Sequence, residues 1–102
     1  MIFEALYESA LKGELLLLDG GYCRWHLRRD HQVTILEIIA TRPGAGSEMF
    51  EYLKTIPGAK SIYARCPADL ASNKWYAAKG FILEETTTTN SGRGLKCWRY
   101  QL

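Results

Sequence analysis

The segment Thr41-Arg42-Pro43-Gly44-Ala45-Gly46-Ser47 has the residue types of an anion cradle. Glycine lets a main chain approach a phosphate with no Cβ in the way. An apolar stretch from Gln32 to Ala40 runs into the segment, and Met49, Phe50, Leu53 and Ile56 follow at helical spacing. The segment therefore joins a strand to the first turn of a helix, where backbone N–H groups lack intrahelical partners and the helix dipole favours negative charge. Arg42 adds a cation, and Ser47 can cap the helix or donate a hydrogen bond. Such a junction can hold a pyrophosphate. The plain alternative is an ordinary strand-to-helix turn. There is no Gly-Lys-Ser/Thr ending, which excludes a Walker loop. There is no third glycine at dinucleotide spacing either, so a Rossmann reading is poor.

Tyr76 lies in Ser72-Asn73-Lys74-Trp75-Tyr76-Ala77-Ala78-Lys79-Gly80-Phe81. A phenol with a pKa near ~10 is protonated at neutral pH and can supply a proton to a departing anion. It can equally be a packed aromatic at a helix end. Glu37 interrupts an apolar strand, where a carboxylate is costly unless used or paired. It is a candidate general base, or else the partner of Arg24 or Arg28 on the neighbouring strand. His26 and His31 could also take a proton, but they read as a strand-face residue and a turn residue. Trp25, Trp75 and Trp98 read as core. Lys74 and Lys79 are phosphate ligands or solvated helix lysines. Cys97 has no Cys-His-Asx company, which argues against a thiol nucleophile.

The elements that must position these groups follow from periodicity. Residues 2–12 have one apolar helical face, with Gly13 as its stop. Residues 14–19 form a short apolar strand before Gly20-Gly21, and residues 22–28 alternate as a second strand. Residues 32–40 are rich in β-branched side chains and read as a central strand. After the glycine segment come a helix to Ile56, a strand over 61–66, and a helix over 70–79 ended by Gly80. Strands over 81–89 and 95–102 close the chain. The order α-β-β-β-α-β-α-β-β predicts an α/β (or α+β) domain over residues 1–102. Its mixed, mostly antiparallel sheet has about six strands, with helices on both faces. The step from residue 32 to residue 66 requires a parallel, right-handed crossover.

Bulk properties narrow the classes. An apolar share of 47% in 102 residues supports one packed core and argues against disorder. A net charge of +2 predicts no strong attraction to nucleic acid or membrane. No apolar run approaches the ~20 residues of a membrane span. The N-terminus lacks the basic and small-residue features of a secretory signal. Cys23, Cys66 and Cys97 form no CxxC pair and are expected as buried free thiols in a cytoplasmic protein without a metal site.

Taken together, strand-TRPGAGSEMF-helix followed by a helix ending Tyr-x-x-x-Gly-Phe resembles the GNAT superfamily of N-acetyltransferases. In that family an (R/Q)xxGx(G/A) loop holds the coenzyme A pyrophosphate, and the tyrosine of YxxxGF faces the thioester sulfur. The resemblance covers Gln32 to Leu102, and the first 31 residues only by topology. Gly44 and Gly46 match the loop's small residues. Thr41 stands where Arg or Gln is usual, with Arg42 one position later. The likeness implies acetyl-CoA as co-substrate and direct acetyl transfer to a primary amine on a small molecule or peptide. It implies Tyr76 as general acid and a carbonyl-polarising main-chain N–H near Ile38 or Ile39, at a strand irregularity. Thr41 to Ser47 and Lys79 would lie at the phosphates. Asn73, or alternatively Asp69, would lie at the pantetheine. The family's first strand and one of its two N-terminal helices have no counterpart here, and a homodimer is one expected way to complete the acceptor wall. A non-catalytic acyl-CoA-binding or protein-interaction module is the alternative reading.

Overall fold

The computed structural model describes residues 1–102. The elements are α1 (Ile2–Leu11), β1 (Leu15–Leu18), β2 (Gly21–Leu27), β3 (Gln32–Ala40), α2 (Ala45–Leu53), β4 (Ser61–Pro67), α3 (Ser72–Ala78), β5 (Ile82–Thr88) and β6 (Gly94–Gln101). This is the order the periodicity predicts. The strands form one six-stranded sheet in the order β1-β2-β3-β4-β6-β5. β3 and β4 are parallel, and every other neighbouring pair is antiparallel.

Both crossovers, β3-α2-β4 and β4-α3-β5, move in the same direction across the sheet. The right-handed rule therefore sets α2 and α3 on the same face. Their side chains meet there: the Phe50 ring lies 6.1 Å from Trp75 and 5.3 Å from Phe81. Fully buried Met49, Leu53, Ile62, Val33 and Cys23 fill the space beneath. Ser9 is the only buried residue of α1, and α1 adds no side chain to this core. The three cysteines are free and buried, as expected. No helix is long and apolar enough to cross a membrane.

Two irregularities in β3 position the site. Arg24 pairs with Glu37 while the next residue, Trp25, pairs with Ile35, so Leu36 is an extra residue with no partner on β2. Such a bulge bends and twists its strand. It also resets the alternation of side chains. Val33, Ile35 and Ile38 all pack on the helix face with the core, and Glu37 lies beside Arg24 on the opposite, open face. The second irregularity is a divergence. β3 and β4 pair only from Gln32–Ser61 to Ile35–Ala64, and β4 then stays with β6 as far as Pro67. From Leu36 onward β3 has no neighbour on its β4 side.

Candidate functional site

The parting of the two strands leaves main-chain groups without sheet partners. The Thr41 N–H donates to the Gly20 carbonyl at 2.6 Å, so Thr41 faces β2. Alternation then turns Ile39 toward β2 and sends the N–H groups of Ile38 and Ala40 into the gap. Ile38 and Ala40 line a cavity of about 280 Å³ there, together with Gly46, Ser72, Trp75 and Tyr76. A second cavity, about 160 Å³, runs through the sheet between the strands. It shares Ile38, Ser72 and Tyr76 with the first, and reaches Leu36, Glu37 and Arg65 on the open face. The two form a slot from one face of the sheet to the other.

At the helix end of the slot stands the glycine segment. Gly44 caps α2 at φ +85°, a backbone region that glycine enters without strain, and no side chain caps the helix. The Ala45 N–H donates to the Arg42 carbonyl at 3.3 Å and the Glu48 N–H to the Gly44 carbonyl at 3.0 Å. The N–H groups of Gly44, Gly46 and Ser47 have no partner in the chain. These are the orphan donors of a helix start, grouped with the positive end of its dipole. Lys79, at the end of α3, donates to the Ser47 hydroxyl and brings a cation to the same spot. Free amides, a positive end and a lysine fit a diphosphate.

Tyr76 is 4% exposed and held among Trp75, Phe81 and Trp98, with ring centroids 5.1, 5.1 and 6.2 Å away. Its hydroxyl makes no hydrogen bond in the chain. It is not sealed either, because the only fully enclosed, unpartnered side-chain polar atom is Trp25 Nε1. The hydroxyl therefore opens into the slot. Burial, then the nearby Cys66 and Cys23 thiols, raise its pKa above the ordinary 10.0. The phenol stays protonated at neutral pH. Glu37 accepts from Arg24 Nε at 3.3 Å, which matches the paired reading of this carboxylate and also places it at the slot's open-face end. Burial, then the Glu37 carboxylate, raise the Tyr22 phenol above its usual pKa.

Several expected ligands are placed otherwise. The Asn73 amide donates to the Pro67 and Leu70 carbonyls, both at 2.9 Å, and its Oδ1 accepts from Trp98 Nε1 at 2.9 Å. Asn73 is a buried brace for the β4–α3 loop, and its neighbour Ser72 faces the slot. Asp69 is on the surface, 3.5 Å from Arg93. Ala45 is fully buried in the core and its N–H is engaged. The bulge falls at Leu36, two residues before Ile38, and the parting of β3 from β4 frees the Ile38 N–H, whereas the Ile39 N–H turns toward β2. Arg42 is held by Asp19 at 2.7 Å and Glu48 at 2.6 Å, its aliphatic stem packed over Gly20. Lys79, rather than Arg42, is the cation directed at the free amides. Thr41, Pro43 and Gly44 are exposed on the loop.

Trp75, expected in the core, is half-buried: it packs on the core beside Phe50 and also stands against Gly46, its Nε1 3.2 Å from where a Cβ would be. The missed signal was helical spacing. Ser72, Trp75, Tyr76 and Lys79 lie at i, i+3, i+4 and i+7, which puts one face of α3 toward the slot and loop.

No protein-family model and no curated protein matches the chain. Solved structures do match in fold. An acetyltransferase of the GNAT family from Bacillus cereus superposes with a TM-score of 0.78 at 16% identity, over 92% of this chain and 74% of that one. The acetyltransferase from Salmonella typhimurium that modifies the N-terminal serine of ribosomal protein L7/L12 gives 0.75 at 11% identity, over 97% and 70%. The Microcin C7 self-immunity acetyltransferase MccE, solved with acetyl-CoA and AMP, gives 0.71 at 13% identity, over 99% and 68%. The fold is that of the GNAT acetyltransferases, in a mixed α/β sheet of six strands with three helices.

Proposed function

We propose that the chain transfers an acetyl group from acetyl-CoA directly to a primary amine. The observation that carries this reading is the slot, with the unpartnered amides of Gly44, Gly46 and Ser47 near one end and the Tyr76 hydroxyl inside it. The fold neighbour solved with acetyl-CoA lends further support.

In this reading the α2 amides and Lys79 hold the diphosphate. The unpaired N–H groups of Ile38 and Ala40 offer an extended ligand the hydrogen bonds that β4 no longer makes. The acceptor enters from the open face. Its neutral nitrogen attacks the thioester carbon, a C–N bond forms, and the C–S bond breaks. The amine proton passes to Glu37, and Tyr76 donates one to the sulfur. Burial disfavours a free thiolate, so the sulfur would need a proton as the C–S bond breaks, and the Tyr76 phenol is the protonated group at hand. An N–H directed into the gap at Ile38 polarises the carbonyl.

Calorimetry with acetyl-CoA, followed by thiol release with a panel of amines, tests the proposal. Absence of binding at millimolar acetyl-CoA would overturn it. Binding without thiol release for any amine would leave an acyl-CoA-binding module as the correct reading.

A further inference from the structure

The open-face end of the slot has its own chemistry. The cavity through the sheet shares Ile35, Leu36 and Arg65 with a third cavity of about 390 Å³ on the open face. That cavity is also lined by Arg28, Gln32, Thr34 and Tyr63. A neighbouring hollow, about 560 Å³, shares Arg28, Thr34 and Leu36 with it and adds Arg29. An acceptor approaching the slot from this side must pass these arginines.

Their pairing sets them apart. Arg24, Arg42, Arg93 and Arg99 each lie within 4.0 Å of a carboxylate, at Glu37, at Asp19 and Glu48, at Asp69 and at Glu84. Arg28 has a loose partner, Asp30 at 3.7 Å, with both side chains more than half exposed, and such a pair contributes little. Arg29 and Arg65 are the two arginines with no carboxylate partner, and both line these cavities. Arg65 is directed by the Tyr63 hydroxyl, which accepts from its Nε at 3.4 Å. A guanidinium left with free donors in a concavity matches the planar fork of a carboxylate or phosphate. Across the slot from Arg65 stands Glu37, whose charge suits an incoming ammonium.

We infer that the acceptor is an amine carrying an oxyanion a few bonds from its nitrogen, bound through that oxyanion by Arg65 with Arg28 and Arg29 as the surrounding field. This rests on the acetyltransferase reading for the word acceptor, but the anion site is testable by itself. The oxyanion could be a carboxylate, as in an amino acid, or a phosphate monoester.

Binding to the CoA-loaded protein is measured for L-glutamate, O-phosphoethanolamine and their counterparts without the oxyanion, L-glutaminamide and ethanolamine. The anionic amine of at least one pair should bind tenfold or more tightly than its counterpart, and which pair does so identifies carboxylate or phosphate. Arg65→Gln should collapse that preference at least tenfold, and Arg65→Glu should reverse it. Arg93→Gln, a comparable surface change elsewhere, should leave it unaltered. Equal affinity for the members with and without the oxyanion in both pairs, or a preference that survives Arg65→Glu, would overturn the inference. Failure of acetyl-CoA to bind is a separate result: it removes the transferase reading, and the same titrations without CoA still decide whether the arginines form an oxyanion site.

Discussion

At the helix-side mouth of the slot, the groups fit to hold a ligand come from two short stretches of sequence. They are the amides of Gly44, Gly46 and Ser47 and one face of α3, Ser72 to Lys79. At the open-face mouth they come from three separate elements: Arg28 after β2, Glu37 from β3, and Tyr63 and Arg65 from β4. The first mouth offers main-chain donors, the unpartnered amides of Gly44, Gly46 and Ser47. The second is built of side chains. On the proposed reading, a common donor would be held by backbone and a particular acceptor by side chains, a division of labour that would let specificity change while the donor site stays fixed.

The sharpest break should come at the first mouth. Gly46→Glu places bulk against the Trp75 indole and a negative charge beside the free amides. Acetyl-CoA affinity should fall at least ~100-fold, about 2.7 kcal/mol, as read by calorimetry. Oxyanion binding at the far mouth should be unchanged, since the two do not share this residue. Next, Tyr76→Phe should lower kcat by about 100-fold, within the usual range for loss of a general acid. The dissociation constant for acetyl-CoA should hold, and the melting temperature should not fall, because the hydroxyl has no hydrogen bond to lose.

A structural effect follows. Asn73→Ala strands the Trp98 indole N–H and two loop carbonyls. It should cost about 2–3 kcal/mol in denaturant unfolding, with acetyl-CoA affinity of the folded protein retained. A selective loss of affinity without loss of stability would return Asn73 to the ligand.

The smallest effect is in pH. Burial pushes the Cys23 thiol up to about 12 from 9.0 and raises Tyr76 as well. The folded chain holds these protons more tightly than the unfolded one. Their contribution is therefore complete below pH 9 and is lost as pH climbs toward 12. Thermal melts should be level up to about pH 9 as far as these groups are concerned and then decline, and Cys23→Ala should decline less steeply.

The contrast between the mouths also explains what could be read from the sequence. Element order, the parallel β3–β4 step and the loop with Gly44 and Gly46 were legible because glycine, periodicity and helix starts act over a few neighbouring residues. The place of Tyr76 near the end of α3 was legible through its spacing to Gly80 and Phe81. Asn73 misled because a polar residue on a helix does not announce whether its partners are loop carbonyls or a ligand. Arg42 misled because Asp19, 23 residues earlier, reaches it only through the fold. Trp75 is large and apolar enough for a core, and only the i, i+3, i+4, i+7 spacing of the α3 face turns one edge of it to the slot as well. Simple alternation from Val33 would put Glu37 beside Ile35 on the helix face. Arg65 carried no local signal, since its meaning depends on where β4 leaves β3.

Leu36 is, in effect, a spacer. Excising it would give β3 an unbroken two-residue rhythm, yet Glu37 would still point toward Arg24 and Ile38 toward Cys23, because one residue lost cancels one residue in surplus. Only the curvature would go. A strand so straightened would run on beside β4, zip up the Ile38 and Ala40 amides, and turn a passage into a wall while keeping every lining side chain but that of Leu36 itself.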